Sequence, residues 1–211
     1  MTLPNKLTIL RIILIPIFVV LFFLPFDGLK FAALGVFVLA SLTDMLDGYL
    51  ARKLKQITTL GKFLDPIADK MLVVSALILV CVNFAMNIYD SITLAFTIIV
   101  SVCTIAIICR ELTVNAIRMI VASKGVVIAA DKMGKVKTVM QIAALLVLIP
   151  IYDMVPIGND VWQVLVYIGS GILTVATIIT LISGINYIVK NKAALRDDDK
   201  EEMIKKMTND K

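Results

Sequence analysis

Four aspartates lie in stretches that are otherwise almost wholly apolar: Asp44 and Asp47 in one, Asp65 and Asp69 in the next. Spacings of three and four place each pair on one face of a helix. Asp44 precedes Arg52 by eight residues and Asp69 follows Lys62 by seven, about 12 and 10 Å along a helix axis. A short basic connection makes the two helices antiparallel, so Asp44 comes level with Asp69 and Asp47 with Asp65. One acid at the centre of a membrane span costs about 2.5–3.5 kcal/mol, and four cost on the order of 10 kcal/mol before allowance for shallow depth. Mutual repulsion adds to that. Such a cluster is expected to hold cations. The chain has no histidine, and oxygen ligands alone favour a hard divalent ion, Mg2+ or Mn2+, as one ion or a pair. Neutralisation by Arg52, Lys62 or Lys70 is the alternative, and local basic residues do not account for four convergent acids. Without imidazole, a general base has to be a carboxylate, a lysine or a tyrosine.

Small residues accompany the acids. Gly48 and Ala51 follow the first pair along its face, and Gly61 precedes Asp65 by four. They suit either tight packing of membrane helices or the close approach of a flat ligand to the backbone.

The elements that must position these residues follow from composition. Of 211 residues, 60% are apolar, against about 45–50% in a soluble domain, and the mean hydropathy is +0.96. This excludes a water-soluble or disordered chain. The length allows several spans of about 20 residues each and no sizeable soluble domain beside them. An all-α bundle of six transmembrane helices is expected, with spans near 7–25, 31–50, 63–85, 92–108 (continuing as helix beyond), 136–151 and 162–189. Residues 1–189 form the membrane domain and 190–211 a charged, solvated tail.

Basic residues cluster at the start (Lys6, Arg11), in the second connection (Arg52, Lys53, Lys55, Lys62), in the fourth (Arg110, Arg118, Lys124, Lys132, Lys135, Lys137) and in the tail; the other connections hold only Lys30. This alternation predicts a multi-pass cell-membrane protein with both termini, and the acid cluster, towards the cytoplasm. It also accounts for the net charge of +5 with no nucleic-acid partner. Cys81, Cys103 and Cys109 have no ligand spacing and read as core residues. The first apolar stretch lacks a cleavage site and reads as a span.

Taken together, the residues read Asp44-x2-Asp47-Gly48-x2-Ala51-Arg52-x8-Gly61-x3-Asp65-x3-Asp69. This pattern resembles the signature of the CDP-alcohol phosphotransferase family at all eight of its positions, and the six spans extend the likeness over most of the chain. The resemblance implies transfer of a phosphoryl-linked group from a CDP-activated donor to an alcohol, with release of CMP. It implies that Asp44, Asp47, Asp65 and Asp69 hold two divalent metals on the donor diphosphate and that Asp69 is also the general base. It further implies that Gly48, Ala51 and Gly61 border the cytidine and that Arg52 lies near the donor head group.

The segments Asn5–Arg11 and Gly61–Lys70, with Arg110-Glu111 and Gly134–Thr138, resemble the branch of the family that uses CDP-diacylglycerol and glycerol 3-phosphate. Its anionic acceptor needs cations, and Arg118, Lys135, Arg110 and Lys137 supply them; positive-inside bias or contact with anionic membrane lipids is the plainer alternative. Glu111, seven residues before Arg118 and nearly eclipsed with it, is expected to orient that arginine. An inositol-phosphate or serine acceptor stays open, as does a homodimer. A cation-coupled transporter predicts acids near the midplane with access from both sides, and the outer half has none.

Overall fold

The computed structural model describes residues 3–26, 28–54, 59–88, 91–123, 132–151 and 159–190. Within the helices, the side chains of 3–6, 44–54, 59–67, 69, 120–123, 132–135, 159–160 and 190 lie outside the described residues. The tail expected over 191–211 also lies outside them.

The chain folds into six helices: α1 Leu3–Phe23, α2 Leu29–Leu54, α3 Thr59–Met86, α4 Ser91–Ser123, α5 Lys132–Leu148 and α6 Asn159–Lys190. Each covers one of the apolar stretches, because an uninterrupted apolar run satisfies its backbone most economically as helix. Pro16 stands inside α1 without ending it. The fourth stretch does continue: α4 is one helix of 33 residues, about 50 Å long against the roughly 30 Å of a bilayer core. Two helical segments, Ser91–Met119 and Val161–Val189, are each long and apolar enough to cross a membrane. The apolar parts of the other four, Leu7–Phe23, Leu29–Thr43, Lys70–Met86 and Val136–Leu148, are shorter. Between α1 and α2, Gly28 takes φ +80, a conformation that costs glycine nothing, and its carbonyl accepts from the Phe31 amide at 3.1 Å.

Short separations set the packing. Successive helices α1–α2 and α2–α3 form hairpins. α1 packs on both α2 and α3, α3 also meets α4 and α5, and α6 lies along α4 and α5. The core follows one face of each helix. On α1, Thr8, Arg11, Phe18 and Phe22 are buried at helical spacing, and Phe18 meets Phe37 of α2 with ring centroids 5.7 Å apart. Leu77, Phe84, Leu145, Leu148 and Leu173 continue the core through α3, α5 and α6.

The opposite faces are apolar and exposed, as at Ile13, Val20, Ile98, Val102, Ile105, Val175 and Ile185. A soluble monomer rarely leaves such continuous apolar surface uncovered, so the exterior is that of a membrane protein. The interior carries the polar groups: Thr97, Thr177 and Thr180 are buried and donate to carbonyls four residues back, and Gln141 of α5 donates to Thr180 of α6 at 3.2 Å. One cysteine departs from expectation. Cys103 is buried and Cys81 half-buried, but Cys109 is exposed on α4, where an apolar face towards lipid looks the same in sequence as one towards the core.

Candidate functional site

The eight signature positions sit on the α2–α3 hairpin. Asp44, Asp47, Gly48, Ala51 and Arg52 belong to the last three turns of α2, and Gly61, Asp65 and Asp69 to the first three of α3. Their side chains lie outside the described residues, as do those of Lys62 and Lys135. Helical backbone through all of these positions keeps 44 and 47 on one side of α2, and 65 and 69 on one side of α3. The two helices pack against each other with only 55–58 between them. By residue type alone, carboxylates in a chain without histidine suit a hard divalent ion.

A residue read in the sequence as a terminal charge lies about one turn from the level of the first acid position. Arg11 is fully buried, eight residues or about 12 Å into α1. Arg11 lies twelve residues before Phe23, so counted from the α1–α2 turn it is level with about residue 41 of α2, roughly 4–5 Å from the Asp44 position along the axis. No local signal marks this in the sequence, because the burial comes with the helices that pack on α1.

The second half of the site is a cluster of charges where α3, α4, α5 and α6 meet. Glu111 of α4 accepts from Nζ of Lys137 on α5. It also accepts from Nη1 of Arg110 at 3.0 Å, and Nζ of Lys70 on α3 lies 4.0 Å away. Lys70 donates to Oδ1 of Asn115, one turn further along α4. Arg110 in turn donates from Nη2 to Ser183 Oγ on α6 at 3.1 Å. It lies across Gly184, where a Cβ would stand 2.9 Å from its Cγ and 3.0 Å from its Nε. The side chains of Arg110 and Lys137 are each 9% exposed and that of Glu111 15%. Charges this far from water persist when paired and hydrogen-bonded.

Arg110 and Lys137 lie together, with Glu111 between them. One expectation changes here. Glu111 does not orient Arg118: the seven-residue spacing that eclipses them also separates them by about 10 Å. Arg118 is exposed instead, with its guanidinium carbon 5.9 Å from the centre of the Tyr187 ring on α6. Lys70, Asn115, Ser183 and Gly184 were not singled out as site residues, because their roles come from neighbours on other helices.

Comparison with known proteins agrees with the family resemblance. Residues 1–182 match the family described as CDP-alcohol phosphatidyltransferase. A protein of Bacillus subtilis (strain 168) named CDP-diacylglycerol–glycerol-3-phosphate 3-phosphatidyltransferase is 37% identical over 207 residues, covering 92% of this chain and 97% of the relative. A protein of the same name from Haemophilus influenzae is 38% identical over 200 residues, covering 92% and 96%. Another from Escherichia coli (strain K12) is 36% identical over 196 residues, covering 92% and 97%.

Proposed function

The chain belongs to the CDP-alcohol phosphatidyltransferase family, and we infer its reaction from relatives of one name that it matches along nearly their whole length. It is an enzyme that transfers the phosphatidyl group from CDP-diacylglycerol to glycerol 3-phosphate, giving phosphatidylglycerol phosphate and CMP. The observation that carries this is the 37% identity over 92% of the chain to a protein named for that activity.

We propose that all six helices cross the bilayer, with both termini and the site towards the cytoplasm, residues 1–189 forming the membrane domain and 190–211 a charged tail. The alternation of basic connections supports this orientation, and the even number of spans returns the chain to its starting side. Asp44, Asp47, Asp65 and Asp69 would hold Mg2+ or Mn2+, as one ion or two; when bound, such ions neutralise charge on the diphosphate and the departing CMP. Gly48, Ala51 and Gly61 border the cytidine, and Arg52 the donor head group. The Asp69 carboxylate takes the proton of the attacking hydroxyl. As the new oxygen–phosphorus bond forms, the bond from phosphorus to the CMP oxygen breaks. Arg118 and Lys135, with Arg110 and Lys137, hold the phosphate of the acceptor. The acyl chains of the donor enter from the bilayer, and glycerol 3-phosphate arrives from the cytoplasm.

The test is CMP release by the purified protein in micelles containing CDP-diacylglycerol. Glycerol 3-phosphate, inositol phosphate and serine are supplied in turn, with and without a chelator. Release is expected with glycerol 3-phosphate and a divalent ion. Preference for another acceptor refutes the acceptor assignment, and full turnover after exhaustive chelation refutes the metal site.

A further inference from the structure

Glu111 meets cations from three helices: Lys137 of α5, Arg110 of its own helix and Lys70 of α3. Three positive charges and one negative leave the cluster at a net +2. Lys70 directly follows the Asp69 position, so the cluster adjoins the end of the site where the hydroxyl is deprotonated. Lysine and arginine side chains are long and repel one another; Ser183 and Asn115 each hold one of the three, whereas Glu111 supplies the negative charge that draws all three together. The carboxylate they share among the described residues is on a continuous helix and 85% enclosed, since its side chain is 15% exposed.

We propose that Glu111 is a positioning residue for the phosphate of the acceptor. Its carboxylate holds Lys137, Arg110 and Lys70 at one place, so that the incoming phosphate meets an assembled set of donors. This rests on the acceptor reading above and goes beyond it. A plain electrostatic role has the opposite sign. A negative charge beside an anion site weakens the anion's binding, and its removal would then tighten it. Holding flexible donors in place strengthens binding, and its removal loosens it.

The experiment is steady-state kinetics of Glu111→Gln and Glu111→Asp, with glycerol 3-phosphate and CDP-diacylglycerol varied in turn. Glu111→Gln keeps the size and loses the charge; Glu111→Asp keeps the charge and is one methylene shorter. Positioning predicts that the acceptor KM rises roughly 10-fold or more in both, the effect of losing one charge-assisted hydrogen bond. The donor KM should stay within about threefold. A lower acceptor KM in Glu111→Gln, with wild-type behaviour in Glu111→Asp, overturns the proposal in favour of simple charge. Equal rises in both KM values overturn it in favour of a structural role. Should Glu111→Gln fail to fold, the KM split of Glu111→Asp decides alone. Failure of the acceptor reading itself shows elsewhere, as absence of turnover with glycerol 3-phosphate in the unaltered protein.

Discussion

Replacing Gly184 with Ala tests how Arg110 is seated. Ordinary van der Waals contact begins near 3.4 Å, and the new Cβ would stand 2.9 Å from Arg110 Cγ, so the arginine must retreat by about 0.5 Å, the difference of the two. Its bond to Ser183 is already 3.1 Å, and that retreat carries it past the roughly 3.2 Å limit of a good N–H···O contact. Losing a hydrogen bond to a charged group costs about 1.5–3 kcal/mol. Alanine recovers about 1 kcal/mol of helix propensity, leaving a net loss of roughly 0.5–2 kcal/mol. Gly171, on the same helix with nothing within 4 Å of an added Cβ, supplies the control, since Gly171→Ala keeps the propensity gain without the clash. At about 2–4 °C per kcal/mol for a chain of this size, Gly184→Ala should lower the apparent Tm in detergent by roughly 1–8 °C, while Gly171→Ala leaves it level or raises it. The KM for glycerol 3-phosphate should rise in Gly184→Ala alone. If the two variants match in both stability and acceptor KM, the account of Arg110 pinned between α4 and α6 is wrong.

Three other outcomes are expected. Asp69→Asn keeps size and loses basicity, so turnover should fall at least ~10²-fold; retained turnover in a folded protein gives the proton to another residue. Arg118→Ala and Lys135→Ala should each lose about 10- to 150-fold in kcat/KM for the acceptor, and Arg118→Lys should not fully restore it; a loss confined to donor KM would move these residues to the diphosphate or to lipid. Lys137→Met should destabilise by about 2–3 kcal/mol, less than the 3–5 typical of a severed buried pair, because Arg110 stays 3.0 Å from Glu111; adding Glu111→Gln should then cost less than it does alone, and strictly additive unfolding losses would refute the pairing.

The six helices were legible in the sequence because apolar runs and the charges between them are local properties. α4 runs past its apolar length, as expected, because nothing between Cys109 and Ser123 breaks a helix. The hairpin carrying the four aspartates was legible for the same reason: spacings of three and four need only helical geometry. Contacts between helices were not. Helical periodicity puts Arg118 over Glu111, yet the partners of Glu111 come from α3 and α5, and which faces meet depends on packing. Arg11 looked like an end charge because burial on α1 depends on the packing of other helices, α2 and α3, against it. Cys109 shows the same loss of information from the other side: where lipid replaces water, the outward face is as apolar as the inward one.

The burial of Arg11 also bears on how the protein is made. On the six-span reading, α1 enters the bilayer before α2 and α3, and an arginine within a span costs about 2.5–3.5 kcal/mol until it is enclosed. The helices that pack on α1 are α2 and α3, and α3 ends at Met86, 63 residues after Phe23 closes α1. At about 5–20 residues per second of synthesis, the ribosome needs roughly 3–13 s to deliver them. Through that interval α1 is a provisional span, its guanidinium reaching for the head groups. The arrival of α3 converts it from an insertion intermediate into a settled helix.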